Sequence, residues 1–229
     1  MNPLLVEHLV LKKMDHCNFT PRTYGFFEDD NFTYTLQDFV KSKDLFDFLA
    51  EDKPHLNEFD IFTIFRSLVS IVHALHQNGV IHNDLKPENV MIDTETKSIA
   101  LIDFGLSHIL SDPNDDTCGG TSGTLEYQPF EKLSSKDSSN CRFGGKKSDT
   151  YSLGVVLFVL FFNRLPFNKH EIHQRMNAIK VNVKVTTAEK QRLSKEAIHL
   201  ITRLLHDDPH QRLGVDDIYK SSWFKEFES

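Results

Sequence analysis

Cysteine is scarce in this chain, with only Cys17, Cys118 and Cys141 among 229 residues. The number is odd, the spacings are long and no CxxC pair occurs. That pattern excludes a disulfide framework and a thiolate zinc site, and it fits a reducing compartment. Long apolar runs are missing too. The longest, "YSLGVVLFVLFF" at 151–162, falls short of the roughly 20 residues a helix needs to cross a bilayer, so a buried core helix is expected there. The opening "MNPLLVEHLVLKKMDH" is interrupted by Glu7 and His8 and meets no small-residue cleavage site, which excludes a secretory signal. Without a signal, the NFT tripeptides at 18–20 and 31–33 read as chance matches to a glycosylation sequon. No internal repeat and no low-complexity tract occurs. There is no basic excess either. The formal charge of −7 argues against nucleic acid or a membrane as partner and leans toward basic partners. A soluble, cytoplasmic protein is expected, with the nucleus also open; the oligomeric state is left open.

What is abundant is phenylalanine, 19 residues, which points to an aromatic-rich core in a chain long enough for one large domain or two small ones. Residues 4–14 set Leu4, Leu5, Leu9 and Val10 at helical spacing. Two β-prone segments follow, Arg22–Phe27 and Asn31–Asp38, separated by the turn "EDDN". A short helix is expected over 44–52 and a long one over 57–78, closed by Gly79. "VIHNDLKPENVMID" and "KSIALIDFGLSHIL" read as short strands flanking polar loops. Residues 111–148 read as one long functional loop. Helices are expected over 149–162, 170–178, 186–190, 195–206 and 215–219.

The densest chemical signal is His82-Asn83-Asp84-Leu85-Lys86-Pro87-Glu88-Asn89, with Asp103 of "LIDFG" fourteen residues beyond Asn89. These groups suit the holding of divalent cations and a phosphoryl group beside a hydroxyl nucleophile. Asp84 can orient or deprotonate the hydroxyl, and Lys86 can neutralise the transferring phosphoryl. Asn89 and Asp103 are hard oxygen donors for Mg²⁺. A lone Asp-Phe-Gly is more often a turn; two linked motifs in this order are not explained by chance. His82 reads as a packed core histidine, and His206 and His210, with Pro209 between them, as surface residues.

This set resembles the protein kinase superfamily, with its HRDxxxxN catalytic loop and DFG metal loop. "DLKPEN" resembles the serine/threonine branch. "GTLEYQPFE" at 123–131 is similar to that family's GTxxYxAPE segment, "SDTYSLGVVLF" to DxWSxGV, and "DDPHQRLGVDDI" carries Arg212. The resemblance implies an α+β, protein-kinase-like fold, with a truncated N-lobe over 1–36 (αC helix and two strands) and a mostly helical C-lobe over 37–229. It implies a serine/threonine protein kinase that uses ATP and Mg²⁺. The implied catalytic residues are Asp84, Lys86 and Asn89. Leu36, Asp38, Asp44, Lys86, Asn89 and Asp103 would line the nucleotide, and Asn89 and Asp103 would hold the metal. Asp47, Glu88 and Thr124 would meet the substrate. Structural roles fall to Glu7 in αC, to Asp149 bracing the catalytic loop, and to Glu131 paired with Arg212. Within the superfamily, "EHLVLKKM" and "KDLFDFL" resemble the Pim group. By that likeness Asp44, Asp47 and Glu88 imply protein substrates with basic segments around the Ser or Thr. The competing reading of Asp44 and Asp47 is a helix N-terminus, where acids are favoured.

Three departures stand against the family pattern. Asn83 replaces the Arg of HRD, which normally pairs with an activation-loop phosphate, and Asp112, Asp115 and Asp116 would repel such a phosphate. Pro129-Phe130 replaces Ala-Pro. No GxGxxG and no strand lysine precede the αC segment, so Glu7 has no ion-pair partner, and ATP affinity and rate are expected to fall severely. The alternative reading is therefore a catalytically impaired kinase-like decoy or regulator that acts by binding.

Overall fold

Asn2 and Pro3 open the first helix. The Asn2 side chain accepts the Leu4 N–H at 3.0 Å, and Pro3 takes the first helical position, where its missing N–H costs nothing. The computed structural model describes residues 2–51, 56–112, 114–135 and 141–228; Asp52, the last residue of the helix expected over 44–52, lies outside them. Helix α1 (Pro3–Lys13) buries only the end of the stripe read from its sequence. Val10, Leu11 and Met14 are buried, whereas Leu4 and Leu9 are 36% and 38% exposed. The helix docks by its C-terminal turn, so only its last apolar positions reach the core.

Strands β1 (Thr23–Glu28) and β2 (Thr33–Gln37) form an antiparallel hairpin with Phe27 opposite Tyr34. Asp29 closes the turn by accepting the N–H groups of Asn31 and Phe32, each at 2.8 Å, a local bond that explains why an Asp-rich tetrapeptide turns here. Strand β3 (Lys43–Asp44) runs straight into α2 (Leu45–Glu51), followed by α3 (Glu58–Gln77). Asn57 and Asp60 form a capping box at the start of α3, and Gly79, at φ 66°, supplies the left-handed residue just past its end. By length and composition alone α3 could cross a membrane. It instead buries Ile61, Phe65, Leu68, Val72 and Leu75 as the central helix of the core.

The next four strands are short: β4 (Val80–Ile81), β5 (Val90–Ile92), β6 (Ile99–Leu101) and β7 (His108–Ile109). β4 pairs with β7, while β5 lies between β3 and β6, all antiparallel. Residues 82–89 therefore join β4 to β5, and residues 102–107 join β6 back to β7. The pairing of the strands brings the two connections side by side.

Residues 111–148 are not one loop. Strand β8 (Thr117–Gly119) pairs with β9 (Arg142–Gly144), a 3₁₀ turn covers Leu125–Tyr127, and α4 spans Phe130–Leu133. Three-residue strands are too short to show a period in sequence. Helix α5 (Gly145–Phe162) starts four residues before the expected 149. Its polar first turn is fastened by the Asp116 side chain and backbone, which accept from Lys146 N and Gly145 N at 2.9 Å each. Helices α6 (Lys169–Met176), α7 (Thr187–Lys190), α8 (Lys195–Leu204) and α9 (Val215–Tyr219) complete the expected set. Helix α10 (Ser222–Glu228) is additional. It buries Trp223 and Phe224 against Phe62, with ring centroids 5.5 and 5.3 Å away. The architecture is α+β with a mostly helical body, and the site lies where its short strands connect.

Candidate active site

Asp84 is the centre of the site. It is 6% exposed, and its two oxygens have separate partners. Oδ1 accepts the Thr124 backbone N–H at 2.7 Å, and Oδ2 lies 3.0 Å from the Lys86 ammonium. Lys86 also donates to Thr124 Oγ1 at 3.0 Å, so the three residues close a triangle. Burial opposes ionisation of Asp84, but the Lys86 ammonium and the hydrogen bonds from Thr124 more than offset it and hold the carboxyl below its usual range. The group is an ionised acceptor at neutral pH.

The backbone beneath the triangle is held by one buried carboxylate. Asp149 of α5 is fully buried and accepts from His82 N at 2.9 Å, Asn83 N at 2.8 Å and the His76 ring at 2.9 Å. Burial pushes against its charge, yet these donors keep its carboxyl below the usual range. His82 is fully buried against Phe104, and burial lowers its pKa, so it packs as a neutral ring. Asn83 is left-handed at φ 68°, which turns its side chain toward the neighbouring segment. There Nδ2 donates to Leu106 O and Ser122 Oγ, both at 3.0 Å.

Asn89 and Asp103 sit on the two adjoining connections, joined by the Ile102 N–H to Asn89 O bond of 3.0 Å. Asn89 donates its amide N–H to Asp84 O at 2.9 Å, which fixes the amide and leaves its oxygen as a donor for a cation. Asp103, at φ 60°, is exposed. Among the described residues no group of three or more His, Cys, Asp or Glu is set to hold a metal. Two hard oxygens do suit Mg²⁺, which takes its remaining ligands from phosphates and water. Glu7 of α1 is half-buried, and its carboxyl is pushed up by burial and by nearby Asp103, although the Phe104 N–H partly offsets this.

Other sequence-derived candidates fall elsewhere. Asp44 caps α2 by accepting Asp47 N at 2.8 Å. Asp47 stands in that first turn, its carboxyl raised chiefly by the charge of Asp44. The Asp38 carboxylate is occupied by Tyr24 Oη at 2.6 Å and Arg22 N at 3.2 Å, and the Leu36 side chain is 56% exposed. Arg212 grips Glu131 in a two-pronged pair of 2.8 and 2.9 Å. Of the proposed substrate residues, Glu88 and Thr124 share a cleft of about 330 Å³ with Glu126 and Arg164. Arg164 is already neutralised by Glu189 at 3.0 and 3.1 Å. The cleft is consequently acidic: burial and then the charges of Glu88, Glu126 and Asp84 push the Tyr127 hydroxyl upward. Sequence reasoning overlooks Glu126, although its place two residues after Thr124 in "GTLEY" could have marked it. It also overlooks Lys132, since nothing in the local sequence "PFEKL" marks a lysine as buried.

Comparison with known proteins bears on this arrangement. A family model described as "Protein kinase domain" matches residues 2–224. The chain is 33% identical over 205 residues to SNF1-related protein kinase catalytic subunit alpha KIN12 of Arabidopsis thaliana, covering 89% of this chain and 38% of that protein. It is 35% identical over 196 residues to CBL-interacting protein kinase 28 of Oryza sativa subsp. japonica, covering 84% and 42%. To the probable serine/threonine-protein kinase KIN1 homolog of Enterocytozoon bieneusi (strain H348) it is 32% identical over 217 residues, covering 95% and 34%. The chain thus spans between a third and about two fifths of the length of these relatives.

Proposed function

We propose that this chain, which belongs to the protein kinase domain family, carries the phosphoryl-transfer centre of a serine/threonine protein kinase. The observation that carries the reading is the closed triangle of Asp84, Lys86 and Thr124 beside Asn89 and Asp103. The substrate is Mg-ATP; Asn89 and Asp103 are the residues that would hold the cation, which neutralises charge on the phosphates when bound. Asp84 accepts the proton of a Ser or Thr hydroxyl as its oxygen bonds to the γ-phosphorus. The bond from that phosphorus to the β-γ bridging oxygen breaks, and ADP leaves. Lys86 balances negative charge on the moving phosphoryl. Leu36, Asp38 and Asp44 belong to the nucleotide side of this proposal through their backbones or position, since the carboxylates of Asp38 and Asp44 already have partners.

The preference for basic target segments rests on Glu88 and Glu126, which share the cleft with Thr124 and pair with no cation among the described residues. Asp47 adds charge nearby. The likeness to the Pim group rests on "EHLVLKKM" and "KDLFDFL", and a cytoplasmic location on three free cysteines. The decoy reading draws on Glu7, which no Lys or Arg pairs with among the described residues.

The test supplies γ-labelled Mg-ATP and two serine peptides, one flanked by arginines and one by glutamates. Label on the arginine peptide at a rate at least about tenfold higher is expected, roughly the worth of one desolvated charge pair. Equal labelling would overturn the basic preference. No label on either peptide, together with no nucleotide binding, would overturn the kinase reading and favour the decoy.

A further inference from the structure

Lys132, in α4, is 1% exposed. Among the described residues no carboxylate lies within ion-pair distance of it. Its ammonium donates to Asn83 Oδ1 and to Ser122 O, both at 2.8 Å, and lies 4.5 Å from the centre of the Phe143 ring. A buried cation with no carboxylate in contact is costly, and an apolar side chain would fill the same space more cheaply. The position of its partners suggests what that cost maintains.

Asn83 receives the lysine on its oxygen and spends its amide N–H groups on Leu106 O and Ser122 Oγ. The ammonium therefore ties α4 to the catalytic loop and to the segment leading to Thr124, and Asn83 extends the link to the connection after Asp103. That segment leading to Thr124 runs close against the catalytic loop, and a glycine makes the approach possible. Gly123 is at φ 112°, and a Cβ there would stand 2.7 Å from Asn83 O. Gln128 Nε2 donates to the carbonyls of Thr121 and Gly123 at 3.0 and 2.6 Å. The next residue, Thr124, is the one whose N–H and hydroxyl meet Asp84 and Lys86.

We propose that Lys132 is a positioning residue, an internal cation that clamps residues 121–124 onto the catalytic loop and so holds Thr124 in register with Asp84. For its catalytic consequence this rests on the kinase reading above; its structural consequence does not. The groups facing the ammonium are Asp149 of α5, Asp84 of the catalytic loop, His108 of β7, Cys118 of β8 and Cys141 beside β9. Burial lowers the lysine pKa to about 8, with Asp149 opposing the shift, so the ammonium keeps its charge at neutral pH.

The test is amide hydrogen exchange on the whole chain, native against Lys132→Met. Exchange at residues 120–124 should accelerate about tenfold or more, the worth of one charge-assisted hydrogen bond, while the α3 core at 68–75 follows only the change in global stability. Equal acceleration in both regions, or none in either, would overturn the clamp. Because this readout needs no phosphoryl transfer, an inactive chain with a loosened loop keeps the clamp and removes only the kinase reading. In an active chain, Lys132→Met should raise the KM for peptide about tenfold and leave the KM for Mg-ATP within about twofold; an unchanged peptide KM would contradict positioning. If the variant does not fold, the native chain decides. A slowly exchanging lysine Nζ–H resonance at pH 7 with contacts to the Phe143 ring is expected, and its absence would overturn the proposal.

Discussion

The β4–β5 connection (residues 82–89) and the β1–β2 hairpin invert the usual rule of burial. His82, Asn83, Asp84 and Asn89 are between 0% and 6% exposed, whereas Tyr24, Phe27 and Phe32 of the hairpin are 57–65% exposed. Hydropathy predicts the opposite in both places. The loop can bury its polar groups because each has a partner: Asp149 for the backbone, Thr124 and Lys86 for Asp84, Lys132 and Ser122 for Asn83. Without those partners each group would cost a few kcal/mol. The hairpin instead depends on its own pairing, on local polar bonds at its ends, Asp29 to the turn and Asp38 to Tyr24 and Arg22 N, and on α1, where His8 meets Thr23 Oγ1 at 2.9 Å and the Phe26 ring. Cooperative stability should accordingly concentrate in the helical body and around the β4–β5 connection.

The largest expected effect breaks the polar side of this contrast. Asp149→Ala leaves two buried N–H groups and the His76 ring without their acceptor, and should cost about 3–5 kcal/mol in denaturant unfolding. Trp223→Ala should cost a similar ~3–5 kcal/mol by opening a cavity between α10 and α3, which would confirm that the body rests on both kinds of burial. A loss below about 1 kcal/mol at either site would end the contrast.

A smaller effect concerns pH. The lysine pKa is depressed in the folded chain, so between about 8 and about 10.4 the unfolded chain binds more protons and stability rises with pH. Between pH 7 and 9.5 the native chain should gain about 1–2 kcal/mol relative to Lys132→Met. For Asp84 and Asp149 the folded values are depressed, so their contribution is present above about pH 4 and lost as pH falls further. The smallest effects lie on the hairpin. Phe32→Ser and Phe27→Ser, at 65% and 57% exposed positions, should each change stability by less than about 0.5 kcal/mol. Losses above that would show that the hairpin aromatics are part of the cooperative unit.

Much of the site is readable in sequence because its chemistry is local. Asp84, Lys86 and Asn89 fall within six residues, and the topology that brings Asp103 beside them follows from two short strand pairs. What escapes sequence is of two kinds. Three-residue strands such as β8 and β9 carry no measurable period, and the polar first turn of α5 hides its start. Long-range partners such as Lys132, forty-nine positions from Asn83, have no local mark at all. The stripe of α1 misleads for a different reason: periodicity shows that a helix has an apolar face but not how much of it a neighbour covers.

The most direct test of the account is the initial rate of phosphoryl transfer to an arginine-flanked serine peptide, measured for the native chain and for Asp84→Asn under the same Mg-ATP. The triangle around Asp84 predicts a loss of about 10²–10⁴-fold with an unchanged circular dichroism spectrum. Equal rates in the two proteins would contradict it.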